Sequence, residues 1–102
     1  MTYKLFVDAG FEEDLNETLR YLRTVLHSQR AAQSLFEKVN DVMNLICQFP
    51  TINAISEKPL LAQRGYREQI VGNYIIVYRL DKDTVFVARL FHATQNFGGF
   101  PE

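Results

Sequence analysis

Apolar positions along the chain change period twice. Tyr3, Leu5 and Val7 alternate with Lys4, the spacing of a first strand. From Phe11 the spacing opens to steps of three and four, through Leu15, Leu19, Leu22 and Leu26, which is one stripe on a helix. Asp8 stands where a helix cap belongs. Glu12, Glu13, Asp14 and Glu17 crowd the first turns, and Arg20 and Arg23 come later, as the helix dipole favours. His27-Ser28 breaks the pattern. A second stripe follows with Ala32, Leu35, Phe36, Val39, Val42, Met43 and Ile46, and Pro50 ends it by pushing Phe49 out of the α region. The short break makes the pair an antiparallel helical hairpin.

Residues 50–65 hold no period, being interrupted by Pro50, Asn53, Pro59 and Gly65. Beyond them the period returns to two. Tyr66 to Val71 reads as a strand, Gly72-Asn73 as a two-residue hairpin turn, and Tyr74 to Leu80 as a second strand rich in branched and aromatic residues. Asp81-Lys82-Asp83 turns the chain into a third strand, Thr84 to His92. The tail from Thr94, with Gly98-Gly99 and Pro101, reads as loose. The fold class expected is therefore α+β, in the order β-α-α-β-β-β, with an antiparallel sheet covered on one face by the two-helix hairpin. One domain spanning 1–102 suits the length.

Pairing Val71 with Tyr74 and Leu80 with Val85 sorts the sheet residues onto two faces. Ile70, Ile75, Val77, Phe86, Ala88 and Leu90 fall on one, and its apolar continuity assigns it to the core. Arg67, Gln69, Tyr74, Ile76, Tyr78, Arg89 and Phe91 fall on the other. That face is expected to be open to a partner peptide or a phosphate-bearing ligand; the competing reading is a second small core with snorkelling arginines.

Charge narrows the function. The chain carries 11 Lys and Arg against 12 Asp and Glu, net −1, with a pI near 6.1. Residues 1–50 sum to −2 and residues 51–102 to +1, so an anion-facing surface belongs in the second half. Tight non-specific nucleic-acid binding is not expected from such a balance. One cysteine, Cys47, excludes an internal disulfide framework and reads as a small buried residue on the second helix. No apolar run is long enough to cross a bilayer and no signal-peptide pattern opens the chain, so a cytoplasmic setting without membrane contact is expected. His27 and His92 lie in no metal-ligand spacing, and no phosphate loop, nucleophile elbow or other cofactor motif is present. His27 reads as a solvated turn residue. His92, at the end of an apolar strand, reads either as a hydrogen-bonded structural residue or as a general acid or base. Arg89 interrupts its strand and has to reach water, a carboxylate or a partner, because a buried unpaired guanidinium is very costly.

The stretch Tyr66-Arg67-Glu68-Gln69-Ile70-Val71-Gly72-Asn73-Tyr74-Ile75-Ile76-Val77-Tyr78-Arg79-Leu80 resembles the central hairpin of the RelE/ParE toxin superfamily, with its Tyr-x-x-x-Tyr strand at Tyr74 and Tyr78. Thr84 to His92 is similar to the family's last strand, which in the ParE-like branch often closes on a histidine. Asp14-Leu15, Ala31-Ala32 and Phe49-Pro50 fit the layout of the first half. The resemblance covers residues 3–97. It implies the toxin half of a bacterial type II toxin–antitoxin module, neutralised by a cognate antitoxin that wraps around it. RelE-like members cut messenger RNA on the ribosome; ParE-like members inhibit DNA gyrase and are not nucleases. A nuclease of this kind would use Arg67, Arg89 and His92 as catalytic residues. The RelE branch has a basic pair near Arg67 and Gln69, where one position is neutral here, and an arginine where this chain has Ile75. No arginine–tyrosine set stands in Ala93 to Phe97. In-line cleavage of RNA needs cations on the phosphate, so the ParE-like reading is favoured, with Arg67, Gln69, Tyr74, Tyr78, Arg89 and Phe91 as partner-binding residues. An endoribonuclease, an inactive relative that only binds its partner, and a homodimer stay open at this point.

Overall fold

The computed structural model describes residues 3–94, in the order β1 (Lys4–Val7), α1 (Ala9–Thr24), α2 (Gln29–Gln48), a 3-10 turn (Pro50–Ile52), α3 (Pro59–Gln63), β2 (Tyr66–Val71), β3 (Tyr74–Asp81) and β4 (Thr84–His92). The expected order β-α-α-β-β-β holds, with one short helix added inside the 50–65 segment. The tail expectation from Gln95 onward lies outside the described residues.

Local chemistry sets the boundaries. The Asp8 carboxylate accepts from the Gly10 N–H at 2.8 Å and opens α1. The Ser28 hydroxyl accepts from the Ala31 N–H at 3.0 Å and opens α2. Each satisfies a donor that the helix itself leaves unpaired. His27, exposed and at φ 51°, makes the left-handed break between the helices. Phe49 ends α2 ahead of Pro50.

The sheet runs β1-β4-β3-β2. Strands β2, β3 and β4 form the expected antiparallel meander, with Val71 opposite Tyr74 and Leu80 opposite Val85. β1 departs from expectation. It lies parallel to β4, Lys4 beside Thr84 and Val7 beside Val87, so the sheet is mixed. A parallel neighbour needs a long crossover rather than a hairpin, and the chain between β1 and the meander provides one in α1 and α2. The two helices pack on one face of the sheet. Phe11, Leu19 and Leu22 of α1 meet Ala32, Leu35, Val39 and Ile46 of α2 over Val71, Ile76, Tyr78, Val85, Val87 and Leu90. Each large apolar side chain so buried contributes roughly 1.5–3 kcal/mol. Cys47 is buried as expected, its thiol donating to the Tyr3 carbonyl.

The face assignment is corrected: the helices choose the other side of β2 and β3, and in β4 one extra residue shifts the pattern as well. Tyr78 pairs with Val87 but Val77 pairs with Arg89, so Ala88 has no partner and β4 carries a bulge. Strict alternation puts Val87 and Leu90 on opposite faces; the bulge brings both under the helices. The helices cover the face that holds Tyr74, Ile76 and Tyr78, the one expected to be open. The face expected to be the main core holds Ile70, 68% exposed, half-buried Ile75 and Phe86, and a smaller cluster of Leu61, Tyr66, Val77 and Phe91 beneath α3.

The bulge is held from α1. Beyond Val87, β4 outruns β1 and its outer edge meets the helix. The Asp14 carboxylate accepts from the Leu90 backbone N–H at 3.0 Å, from Arg89 Nε at 2.7 Å and from Arg89 Nη2 at 3.0 Å. The ion pair is two-pronged and charge-assisted. Asp14 and Arg89 are only 17% and 33% exposed on their side chains, so water screens the pair incompletely. Gly10 makes room for it: a Cβ there would lie 3.1 Å from Arg89 Cδ and 3.0 Å from the Asp8 carboxylate.

Asp14→Ala is expected to lower stability by about 2 kcal/mol, since it removes a charged acceptor from three donors. Asp14→Asn, which keeps an acceptor for Leu90, is expected to lose about half as much; urea unfolding of the two variants checks the order. Lys82, at φ 57° in the β3–β4 turn, sits in a conformation that disfavours a Cβ. Lys82→Gly is accordingly expected to gain about 0.5–1 kcal/mol in the same assay.

Candidate functional site

The side chains singled out from the sequence divide into three places. The first is a polar cluster where the Pro50–Ile52 turn meets the sheet. Arg67 and Tyr78 are cross-strand partners on the helix-covered face, and Gln69 follows Arg67 on the same side. The Tyr78 hydroxyl donates to the Pro50 carbonyl at 2.8 Å and accepts from Asn53 Nδ2 at 3.2 Å. The same Nδ2 donates to Gln69 Oε1 at 2.7 Å, and Arg67 Nη1 donates to the Asn53 carbonyl. Tyr78 has no exposed surface. It ties the turn down from within instead of meeting a partner directly. Burial pushes its phenol above the ordinary value, and the Asn53 hydrogen bond and the Arg67 charge pull against that.

The second place is the turn end of the hairpin. Tyr74 and His92 are opposite one another and their rings meet edge to face, centroids 5.2 Å apart. The Thr94 backbone N–H donates to His92 Nδ1 at 3.2 Å and the Thr94 hydroxyl lies 2.7 Å from the same nitrogen. Because a backbone N–H can only donate, Nδ1 is an acceptor and a neutral ring carries its proton on Nε2. Tyr74 lines a groove of about 260 Å³ between α1, α2 and the β2–β3 turn, with Leu22, Leu35 and Val71 on its walls and Lys38 at its rim. Burial, and then the neighbouring Tyr21, push the Tyr74 phenol up. Both hairpin tyrosines are therefore protonated at neutral pH, and neither is a base there.

The third place is the β4 edge on the other face. There Arg89 is paired with Asp14, and its guanidinium lies 5.2 Å from the centroid of the Phe91 ring. The hydrogen bond to Asp14 raises Arg89 above its already high value, so it is charged while it makes that contact. Phe91 belongs to the small cluster under α3.

The structure thus brings together Arg67, Gln69 and Tyr78, and separately Tyr74 and His92, while it keeps Arg89 and Phe91 apart from both. The Arg67 row lies about 13 Å along the strands from the Tyr74–His92 row at roughly 3.3 Å per residue, and β3 separates Arg67 from Arg89 on opposite faces. Among the described residues no group of His, Cys, Asp or Glu is placed to hold a metal ion, and no helix is long and apolar enough to cross a membrane. Sequence reasoning missed Asn53 and Asp14, which organise the first and third places. Asn53 stood in an aperiodic segment, where an amide between breakers reads as turn chemistry. Asp14 stood among carboxylates that suit any helix start. Its one distinguishing signal was the need of Arg89 for a carboxylate.

Comparison with known proteins adds what geometry alone does not. Residues 5–97 match the family model described as the ParE toxin of the type II toxin–antitoxin system parDE. No curated protein matches the chain. Among solved structures, a chain of the chromosomal ParDE toxin–antitoxin system from P. aeruginosa superposes with a TM-score of 0.63 at 16% identity, covering 89% of this chain and 96% of that one. A chain of the RelBE2 toxin–antitoxin complex from Mycobacterium tuberculosis gives 0.63 at 19% identity, covering 90% and 99%. YafQ from E. coli gives 0.54 at 16% identity, covering 88% and 92%. At these identities the structural likeness establishes the shared fold, and the family match over nearly the whole sequence establishes membership: the chain belongs to the ParE toxin family of type II toxin–antitoxin systems.

Proposed function

We propose that this toxin acts by binding a protein, DNA gyrase being the target that the family resemblance implies, and that a cognate antitoxin neutralises it in the cytoplasm. The observation that carries the non-nuclease reading is the dispersal of the three candidate catalytic side chains. Cleaving RNA needs a base, an acid and cations converging within hydrogen-bond reach of one phosphate. Arg89 is bound by both prongs to Asp14, Arg67 leans on the Asn53 carbonyl from the other face, and His92 is a strand length away from Arg67 beside a protonated tyrosine. A net charge of −1 gives a phosphate backbone little general attraction. Origin in toxin–antitoxin assemblies of two structurally similar chains supports an antitoxin partner.

The alternative, a ribosome-dependent endoribonuclease, draws support from the likeness to the RelBE2 chain. Induced expression followed by transcript mapping and a supercoiling assay separates the two. Growth arrest, intact transcripts and inhibition of gyrase by purified protein are expected, and a folded His92→Ala variant is expected to arrest growth as the wild type does. Rapid cleavage of messages at ribosomal A sites, abolished by His92→Ala, would replace this reading with the nuclease.

A further inference from the structure

Three arginines interrupt the meander; Arg79 pairs with Asp81, and the other two stand in opposite situations. Arg89 has a carboxylate of its own. Arg67 forms no ion pair with any carboxylate among the described residues, and its one hydrogen bond runs from Nη1 to the Asn53 carbonyl. Its Nε is buried and has no partner. Nη2 makes no hydrogen bond either and is not fully buried. The carboxylate nearest in sequence, Glu68, points to the opposite face, where it accepts from the Ser56 hydroxyl at 2.6 Å and pairs with Lys58 at 3.0 Å. A half-buried guanidinium is thus held at Nη1, with no carboxylate beside it and the Nη2 donor group, which carries two N–H, left unengaged. Burial of the rest of the head makes that donor a stronger electrostatic partner than a fully solvated one.

The rim narrows the occupant. Ile55, bridged to Arg67 by its backbone, is 41% exposed, and Ile52, beside Asn53, is 56% exposed. With one guanidinium nitrogen on offer, a single carboxylate suffices as its partner, whereas a nucleic-acid phosphate is held by several cations together. We propose that Arg67 is the anchor for one acidic side chain of the antitoxin, presented by a segment whose neighbouring apolar residues lie on Ile52 and Ile55. This deepens the toxin reading above and rests on it.

The test measures the affinity of the purified toxin for the full-length protein encoded beside it, over a range of salt concentrations. Arg67→Gln is expected to weaken binding about tenfold or more, and to flatten the salt dependence. Arg67→Lys is expected to fall between. Lys4→Gln, which removes an exposed charge elsewhere, is expected to bind as the wild type does. Thermal unfolding by circular dichroism confirms that each variant is folded. Arg67→Glu is expected to be rescued by lysine at one acidic position of the antitoxin, which identifies the contact. Wild-type-like affinity in Arg67→Gln, or failure of every lysine replacement to rescue Arg67→Glu, overturns the anchor while leaving the toxin intact. Equal loss of binding to a single-stranded RNA probe assigns the side chain to phosphate instead and also overturns it. A wild-type protein that neither binds the neighbouring product nor arrests growth overturns both readings.

Discussion

A single carboxylate, Asp14, decides how this sheet meets its helices. It sits inside α1 and takes three hydrogen bonds from two consecutive residues of β4. Two of those come from a guanidinium and the third from a backbone N–H on a strand edge that has run past its neighbour. Without an acceptor there, both the edge amide and the arginine would be stranded against a helix, a costly arrangement for buried polar groups. With it, the bulge at Ala88 is fixed, and Leu90 joins Val85 and Val87 in the main core. A polar contact thus fixes where the end of β4 sits, although the stability of the covered face comes from its apolar content.

The elements themselves were legible. Both helix starts, the end at Phe49 and all three strands of the meander follow from spacing, caps and turn residues, because those signals act within a few residues. The faces were not legible. β3 is apolar on both sides, with Ile75 and Val77 on one and Ile76 and Tyr78 on the other, so period two gave no preference. Polar residues then biased the choice. Arg67 and Gln69 read as marks of an open face, but both lie on the helix-covered side, where Asn53 reaches in from the turn and takes one hydrogen bond from Arg67 and gives one to Gln69. The parallel placing of β1 was also hidden, since nothing local in Tyr3 to Val7 says which way its neighbour runs. In each case the missing information was a contact between residues far apart in sequence.

For the site, the same distinction separates residue types from residue roles. The arginines, tyrosines and histidine that the family resemblance picks out are all present, but their positions differ in kind. Tyr78 is an internal strut, Arg89 a clasp and Phe91 a packing residue. What faces outward is smaller: the groove edge at Tyr74 and the apolar pair Ile52 and Ile55, with Nη2 of Arg67 not fully buried. A net charge of −1 accords with the proposal of a protein partner in place of a polyanion.

The parallel seam between β1 and β4 ties the first strand of the chain to the last. Strand β1 and both long helices are made before the other three strands of the sheet. Their apolar stripes have no surface to cover until Val85, Val87 and Leu90 have been translated. A chain cut short of β4 therefore leaves these stripes uncovered and open to aggregation. Closing the core waits on one pairing between residues about eighty apart in sequence, the kind of contact that slows folding.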